Sequence, residues 1–295
     1  MRRPSTVELM MLVVVLLWAL NLTVTRYILT HGFEPLAYAT VRYGLASAIF
    51  VAIVLVGERT LRLARRDLPL AAVAAFFIFL NQLCFVYALE RTTASTIALL
   101  LGSTPVFAAV IGLALGLERL SRRFWIAAAI SFAGVGLVAL GSGGDVSGDR
   151  RGIVLGLCTA ATWAAYSVAV GPLMERYSAS KISVAALGMG WLGILVVGLP
   201  QTAHQDLGVG ARVWVLLVFA TLGPLVVTTI LWFRVIHRIG ASRATLVANL
   251  QPFVAAVFAL LLLSESMSAQ QVAGGALIAG GILTARRRQP VPQAE

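Results

Sequence analysis

The feature that most constrains this chain is a series of ten long apolar runs, each ended by charged or turn-forming residues. They lie at roughly 7–29, 34–56, 68–90, 93–117, 123–141, 150–172, 180–200, 212–236, 241–264 and 269–285. A helix needs about 20 apolar residues to cross the hydrocarbon core of a bilayer. Ten such helices use most of the 295 residues and leave no room for a soluble domain. In lipid, backbone polar groups must be satisfied within the structure itself, which a helix achieves alone. A β-barrel strand would alternate apolar and polar residues, and runs such as Leu12–Leu17 do not. The charged fraction is 12%, half the roughly 25% of a soluble domain. These features exclude an ordinary soluble enzyme and a disordered chain. The fold class they predict is an all-α polytopic membrane protein with ten transmembrane helices.

The net charge of +11 does not point to nucleic acid, because the 23 basic residues stand in short clusters between the apolar runs. Such clusters read as topology signals and as contacts with anionic lipid headgroups. With the amino terminus inside, 16 basic residues fall in inside segments and only Arg91, Arg150, Arg151 and Arg212 in outside loops. Arg26, Arg42 and Arg234 remain within spans. Both termini are therefore predicted to be cytoplasmic. The first run continues past Trp18 to Leu29, too long for a signal peptide, and is read as an uncleaved first helix. Cys84 and Cys158 lie inside apolar runs and read as small buried hydrophobes. No metal spacing and no Walker A sequence is evident, so neither a cofactor nor ATP is expected. No catalytic constellation occurs at one depth, which argues against an enzyme.

An internal repeat organises the ten spans. Residues 94–121 align without gaps on 241–268, a shift of 147, with 11 identities in 28 positions. Pro105 with Pro252 and Glu118 with Glu265 are among them, and these are not coincidences of apolar composition. The same shift pairs Asn81 with Thr228 and Gly134 with Gly281, and a shift of 145 pairs Trp18 with Trp163. The chain thus reads as two five-helix halves, 1–145 and 146–295, joined near the Gly/Ser/Asp-rich stretch at 141–151. Five is odd, so the second half enters the membrane from the opposite side. Inverted repeats around a central cavity are the mark of secondary transporters, whose substrate sites lie near the midplane.

The chain resembles the drug/metabolite transporter superfamily, EamA type. The resemblance rests on Trp18 with Asn21, Trp163, the segment Pro35 to Arg42-Tyr43, Pro105 with Glu118, and Pro252 with Glu265. It covers nearly the whole chain and is closest to the bacterial aromatic amino-acid exporters. It implies a helical basket around a cavity, helices five and ten to the outside, and residence in a bacterial inner membrane.

Candidate site residues follow from depth. Pro105 and Pro252 sit near the middle of equivalent spans and each removes a backbone N–H, freeing the carbonyls of Leu101 and Ala248. They read as hinges with carbonyl acceptors, or as kinks that shape packing. Asn21, Asn81, Asn249 and Gln251 are polar at mid-depth and either line a pathway or bond helices together. Trp163, Tyr166 and Tyr38 lie deep and offer flat faces for stacking, or pack in the core. Arg42, one turn from Tyr38, either receives a substrate carboxylate or bonds helix-end carbonyls. Tyr27, Trp125, Trp214 and Trp232 read as an interfacial belt. The spacings Gly112-x-x-x-Gly116 and Gly152-x-x-x-Gly156 read as close helix contacts. All twelve acidic residues lie at span ends, in loops or at the termini. A proton-coupled antiporter or a cation extruder commonly needs a buried carboxylate, so a facilitator or exchanger is favoured. The expected substrate is a neutral or aromatic amino acid, whose two charges cancel. The alternative is another small metabolite or drug, such as a nucleobase, sugar or lipophilic compound, exported with or without proton coupling.

Overall fold

The computed structural model describes residues 6–92, 94–141, 150–263 and 267–285, and among these the secondary structure is helical throughout. Glu265 and most of the 141–151 joint lie outside the described residues. The long helices are α1 (Thr6–Thr30), α2 (Pro35–Gly57), α3 (Leu68–Arg91), α6 (Arg122–Gly141), α7 (Arg150–Val170) and α8 (Ala179–His204). The run expected at 93–117 is not one helix but two, α4 (Ala94–Leu101) and α5 (Thr104–Ala114). The run expected at 241–264 is likewise α11 (Ala241–Ala248) and α12 (Gln251–Leu263). Between α9 (Ala211–Thr221) and α10 (Thr228–Ile239) the chain widens into a π-helical stretch, Leu222–Val227, and α13 (Ala269–Ala285) closes the series. Eight helical segments are long and apolar enough to cross a membrane by length and composition.

Proline explains the breaks. Pro105 and Pro252 cannot donate to Leu101 and Ala248, so the preceding turns tighten. Ser103 N–H bonds Leu100 O and Leu250 N–H bonds Val247 O, both at 3.1 Å and both three residues back. The new helices start at the prolines, where the missing N–H would be unsatisfied in any case.

The interior is inverted relative to a soluble protein. Asn21, Arg42, Asn81, Gln82, Ser131 and Asn249 are buried, while Val56, Phe76, Val196 and Val215 are exposed on the outer face. A soluble chain with such a surface would aggregate, whereas lipid accommodates it, as expected of a multi-pass membrane protein. Cys84 is buried as expected, but Cys158 is exposed on α7. Trp232, expected in the interfacial belt, is instead 1% exposed and donates to Ser167 Oγ at 3.2 Å. Its face of α10 turns inward.

Close backbone contact joins α6 to α13. A Cβ on Gly134 would lie 2.7 Å from Gly274 O, and one on Gly281 would lie 2.7 Å from Ala127 O. Only glycine lets two helices approach so closely. Gly156 similarly admits the Leu100 side chain, so that spacing does serve helix contact. Gly112-x-x-x-Gly116 does not. Gly116 has φ +67° just beyond the end of α5, where Leu117 N–H bonds Gly112 O at 2.9 Å and stops the helix.

The end of the bundle at which α1 begins is the basic end. There the largest core cluster joins Met10, Val14, Phe50, Leu173, Phe233 and Ile236 from both halves of the chain. Polar contacts reinforce it. Buried Asp67 pairs with Arg176 at 3.1 Å and accepts from Tyr177 Oη at 2.7 Å. Glu58 pairs with Lys181 at 3.7 Å and hydrogen-bonds Ser178. At the opposite end Gln201 and Gln205, one turn apart on α8 and just after it, accept from the N–H groups of Leu36 and Glu34 at 2.7 Å each. These are orphan donors at the start of α2.

Candidate functional site

A cavity of about 150 Å³ lies where α1, α2, α3, α7 and the broken helices meet. Six of the eight expected substrate-site residues line it, namely Asn21, Arg42, Asn81, Trp163, Asn249 and Gln251. Pro252 lines it too, and Pro105 follows Thr104, which does.

Arg42 is 4% exposed and held by the opposite half of the chain. Its Nε and Nη2 donate to Ala220 O at 3.2 and 3.1 Å, and Nη2 also reaches Asn21 Oδ1 at 3.3 Å. Ala220 O is free because Pro224, four residues on, has no N–H to give it. Arg42 thus bonds a freed carbonyl and also lines the cavity. Two of its five N–H donors, both on Nη1, remain.

The aromatic wall is larger than the sequence suggested. Trp18 meets Trp163 edge to face, with centroids 5.4 Å apart and planes at 81°. Trp18 is fixed by its indole N–H, which faces Pro224 O at 3.2 Å and Thr228 Oγ1 at 3.1 Å. Gln251 Nε2 donates to Trp18 O at 3.2 Å, leaving its amide oxygen as an acceptor. Asn81 Nδ2 donates to Thr159 O at 2.9 Å, and Gln82 Nε2 to Asn81 Oδ1 at 3.2 Å. Asn249 Nδ2 reaches Gly102 O at 3.2 Å and Ser131 Oγ at 3.1 Å. The freed Leu101 carbonyl is taken by Thr104 Oγ1 at 2.6 Å, whereas Ala248 lies on the cavity wall.

Tyr38 and Tyr166 stand behind the wall and not on it. Tyr38 bonds Thr25 through its hydroxyl at 3.0 Å, and its ring centroid lies 5.7 Å from Arg42 Cζ. Tyr166 packs on Trp163 and Phe233 at 5.5 and 5.9 Å, its hydroxyl without a hydrogen-bond partner among the described residues. Trp18, Tyr43, Gln82, Thr228 and Thr229 also line the wall, beyond the residues expected there. Trp18 was visible as the repeat partner of Trp163. Pro224, in the middle of an apolar run, was visible as a third break.

A model of the EamA-like transporter family matches the chain twice, over residues 5–140 and 150–287. A probable terminal-alkyne amino-acid exporter of Streptantibioticus cattleyicolor is 26% identical over 286 residues, covering 92% of this chain and 93% of that protein. An uncharacterized transporter of Archaeoglobus fulgidus is 24% identical over 285 residues, covering 92% of this chain and 95% of that protein. The transporter YdfC of Bacillus subtilis is 26% identical over 218 residues, covering 74% and 71%. A solved crystal structure superposes with a TM-score of 0.77 at 18% identity, covering 96% of this chain and 97% of that one, which speaks to the fold alone. With both halves of the chain matched, the protein belongs to the EamA-like transporter family and is a multi-pass membrane transporter of small molecules.

Proposed function

We propose that this transporter exports neutral and preferentially aromatic amino acids across a bacterial inner membrane, as a facilitator or exchanger. The observation that carries the reading is the makeup of the central cavity. It joins a fixed guanidinium to a wall of tryptophan, with no carboxylate or histidine among its described lining residues. A lipophilic cation would meet Arg42 with no counter-charge. An amino acid brings its own. Its carboxylate suits Arg42 and the amino-terminal ends of α5 and α12, where helix dipoles are positive. Its ammonium suits the carbonyl ends of α4 and α11 and the amide oxygen of Gln251. Its side chain suits the Trp18–Trp163 wall. The Streptantibioticus relative, described as a probable exporter of an amino acid, supports the substrate class.

Transport proceeds by alternating access between two inverted five-helix halves, 1–145 and 146–295, with the basic end and both termini in the cytoplasm. The two matches to one family model support this division. So do the contacts. Gly102 bonds Asn249, its own counterpart at a shift of 147. Gly134 approaches residues 274 and 278 while Gly281 approaches 127 and 131, the same contacts exchanged between halves. Ten spans then comprise the eight segments of membrane-crossing length, the α4–α5 pair among them, together with the α11–α12 pair and α13. The shared core at the basic end fits a state closed to the cytoplasm.

The test is uptake by proteoliposomes of purified protein, with labelled phenylalanine, alanine, a nucleoside and a lipophilic cation. Saturable amino-acid uptake at equal pH, unchanged by an imposed proton gradient, is expected. Cation uptake driven by the gradient, without amino-acid uptake, would remove both the substrate and the coupling argument.

A further inference from the structure

A second cavity, of about 400 Å³, opens at the end opposite the basic one, between the ends of α1 and α3 and the turn into α2. Its lining includes Arg26, Glu34 and Glu90. Among the described residues no ion pair occupies these three groups. The two cavities share helix faces. On α1, Leu22 lines the central cavity, and Arg26 and Leu29, four and seven residues on, line the outer one. On α3, Phe85 lines the first and Leu89 the second. Spacings of four and seven keep residues on one helix face, so the two cavities lie in file along one seam, with Leu22 and Phe85 between them.

We propose that this outer cavity is a second, weaker binding site for the same zwitterionic solute, through which it passes between the central cavity and the outer face. The inference rests on the amino-acid reading above and deepens it. Charge of both signs on one wall suits a molecule carrying an ammonium and a carboxylate. The order of charges adds selectivity. The two glutamates at the mouth disfavour a free anion, and the lone guanidinium in the central cavity disfavours a cation. A solute carrying both charges meets a partner for each at the outer cavity, whereas a free cation meets no carboxylate among the described lining residues of the central one.

The test compares initial uptake by right-side-out and inside-out vesicles bearing wild type or the double variant Arg26→Gln/Glu90→Gln. Exposed charge pairs are weak, so the variant's half-saturation concentration for entry from the outer face rises about two- to fivefold. Entry from the basic face and the maximal rate stay unchanged. The rise shrinks in high salt, as exposed charges are screened. An equal rise from both faces, or none from either, overturns the site. Wild-type vesicles that take up no amino acid overturn the functional reading as well, which separates the two failures. A zwitterionic lipid headgroup shares this chemistry. A rise that persists in vesicles of phosphatidylglycerol alone assigns the site to the solute. A rise confined to vesicles containing phosphatidylethanolamine assigns it to lipid and overturns the proposal.

Discussion

Replacing Arg42 by glutamine separates recognition of a carboxylate from the structural bond to Ala220. The glutamine amide can still donate to the carbonyl that Pro224 frees, but it carries no charge. The wild-type side chain makes two bonds to Ala220 O and one to Asn21. Hydrogen bonds between membrane helices average about 0.6 kcal/mol and reach about 1.7, so losing part of this set costs on the order of 1 kcal/mol of stability. Losing the charge-assisted bond to a substrate carboxylate costs about 1.5–3 kcal/mol. At 1.4 kcal/mol per tenfold, that is roughly a 10- to 150-fold rise in half-saturation. The assay is uptake of phenylalanine, with competition by phenylalanine and by phenylalaninamide, which keeps the ammonium and ring but lacks the carboxylate. The variant is expected to lose affinity for the acid and to hold that for the amide within about twofold, with its melting temperature in detergent only slightly lowered. Equal loss of affinity for acid and amide would refute the reasoning and make Arg42 a purely structural residue.

Three further substitutions test the wall, the break and the scaffold. Trp163→Ala removes a ring partner worth about 0.5–1.5 kcal/mol, so half-saturation for phenylalanine rises about two- to tenfold while that for alanine barely moves; uptake competition reads the ratio. Pro224→Ala returns an N–H to Ala220 O and sets it against Arg42 for the same acceptor, so the variant reproduces part of the Arg42→Gln loss of affinity without removing a charge. Gly134→Leu forces a side chain against the Gly274 carbonyl, and overpacking of this kind costs about 1–3 kcal/mol; a lower melting temperature in detergent, followed by size-exclusion fluorescence, is the expected readout.

The scaffold was more legible than the chemistry. Ten apolar runs were visible because lipid imposes length and composition on a membrane-spanning segment, and 11 identities at a shift of 147 pointed to an internal repeat. Proline marked where α4 gives way to α5 and α11 to α12, since its missing N–H acts locally whatever surrounds it. That these were full breaks was less legible, because interruption depends on the turn that Ser103 and Leu250 adopt before each proline. Helix rotation was hidden altogether. Depth made Tyr38, Tyr166 and Trp163 all candidates for the wall, but of the three only Trp163 lines the cavity. Depth also assigned Trp232 to the interface, where its rotation about α10 instead buries it against Trp18, with centroids 4.9 Å apart.

The repeat also explains why the chemistry resists reading by analogy between halves. A shift of 145 to 147 from Arg42 falls on Leu187, Gly188 and Met189, none of them charged. The second half contributes instead the acceptor that holds Arg42, and it does so because Pro224 stands four residues beyond Ala220. Shifted back by 147, Pro224 falls on Phe77 in the unbroken helix α3. The broken helices and the glycine contacts, by contrast, are both paired at a shift of 147. The two halves differ at the buried Arg42 and, among the described residues, at the π-helical stretch Leu222–Val227, and these two differences meet at Ala220. On the alternating-access reading proposed above, a charge supplied by α2 and fixed by a carbonyl of α9 ties the cavity to the relative position of these helices, so a rocking motion that moves α9 away from α2 also moves the acceptor of Arg42.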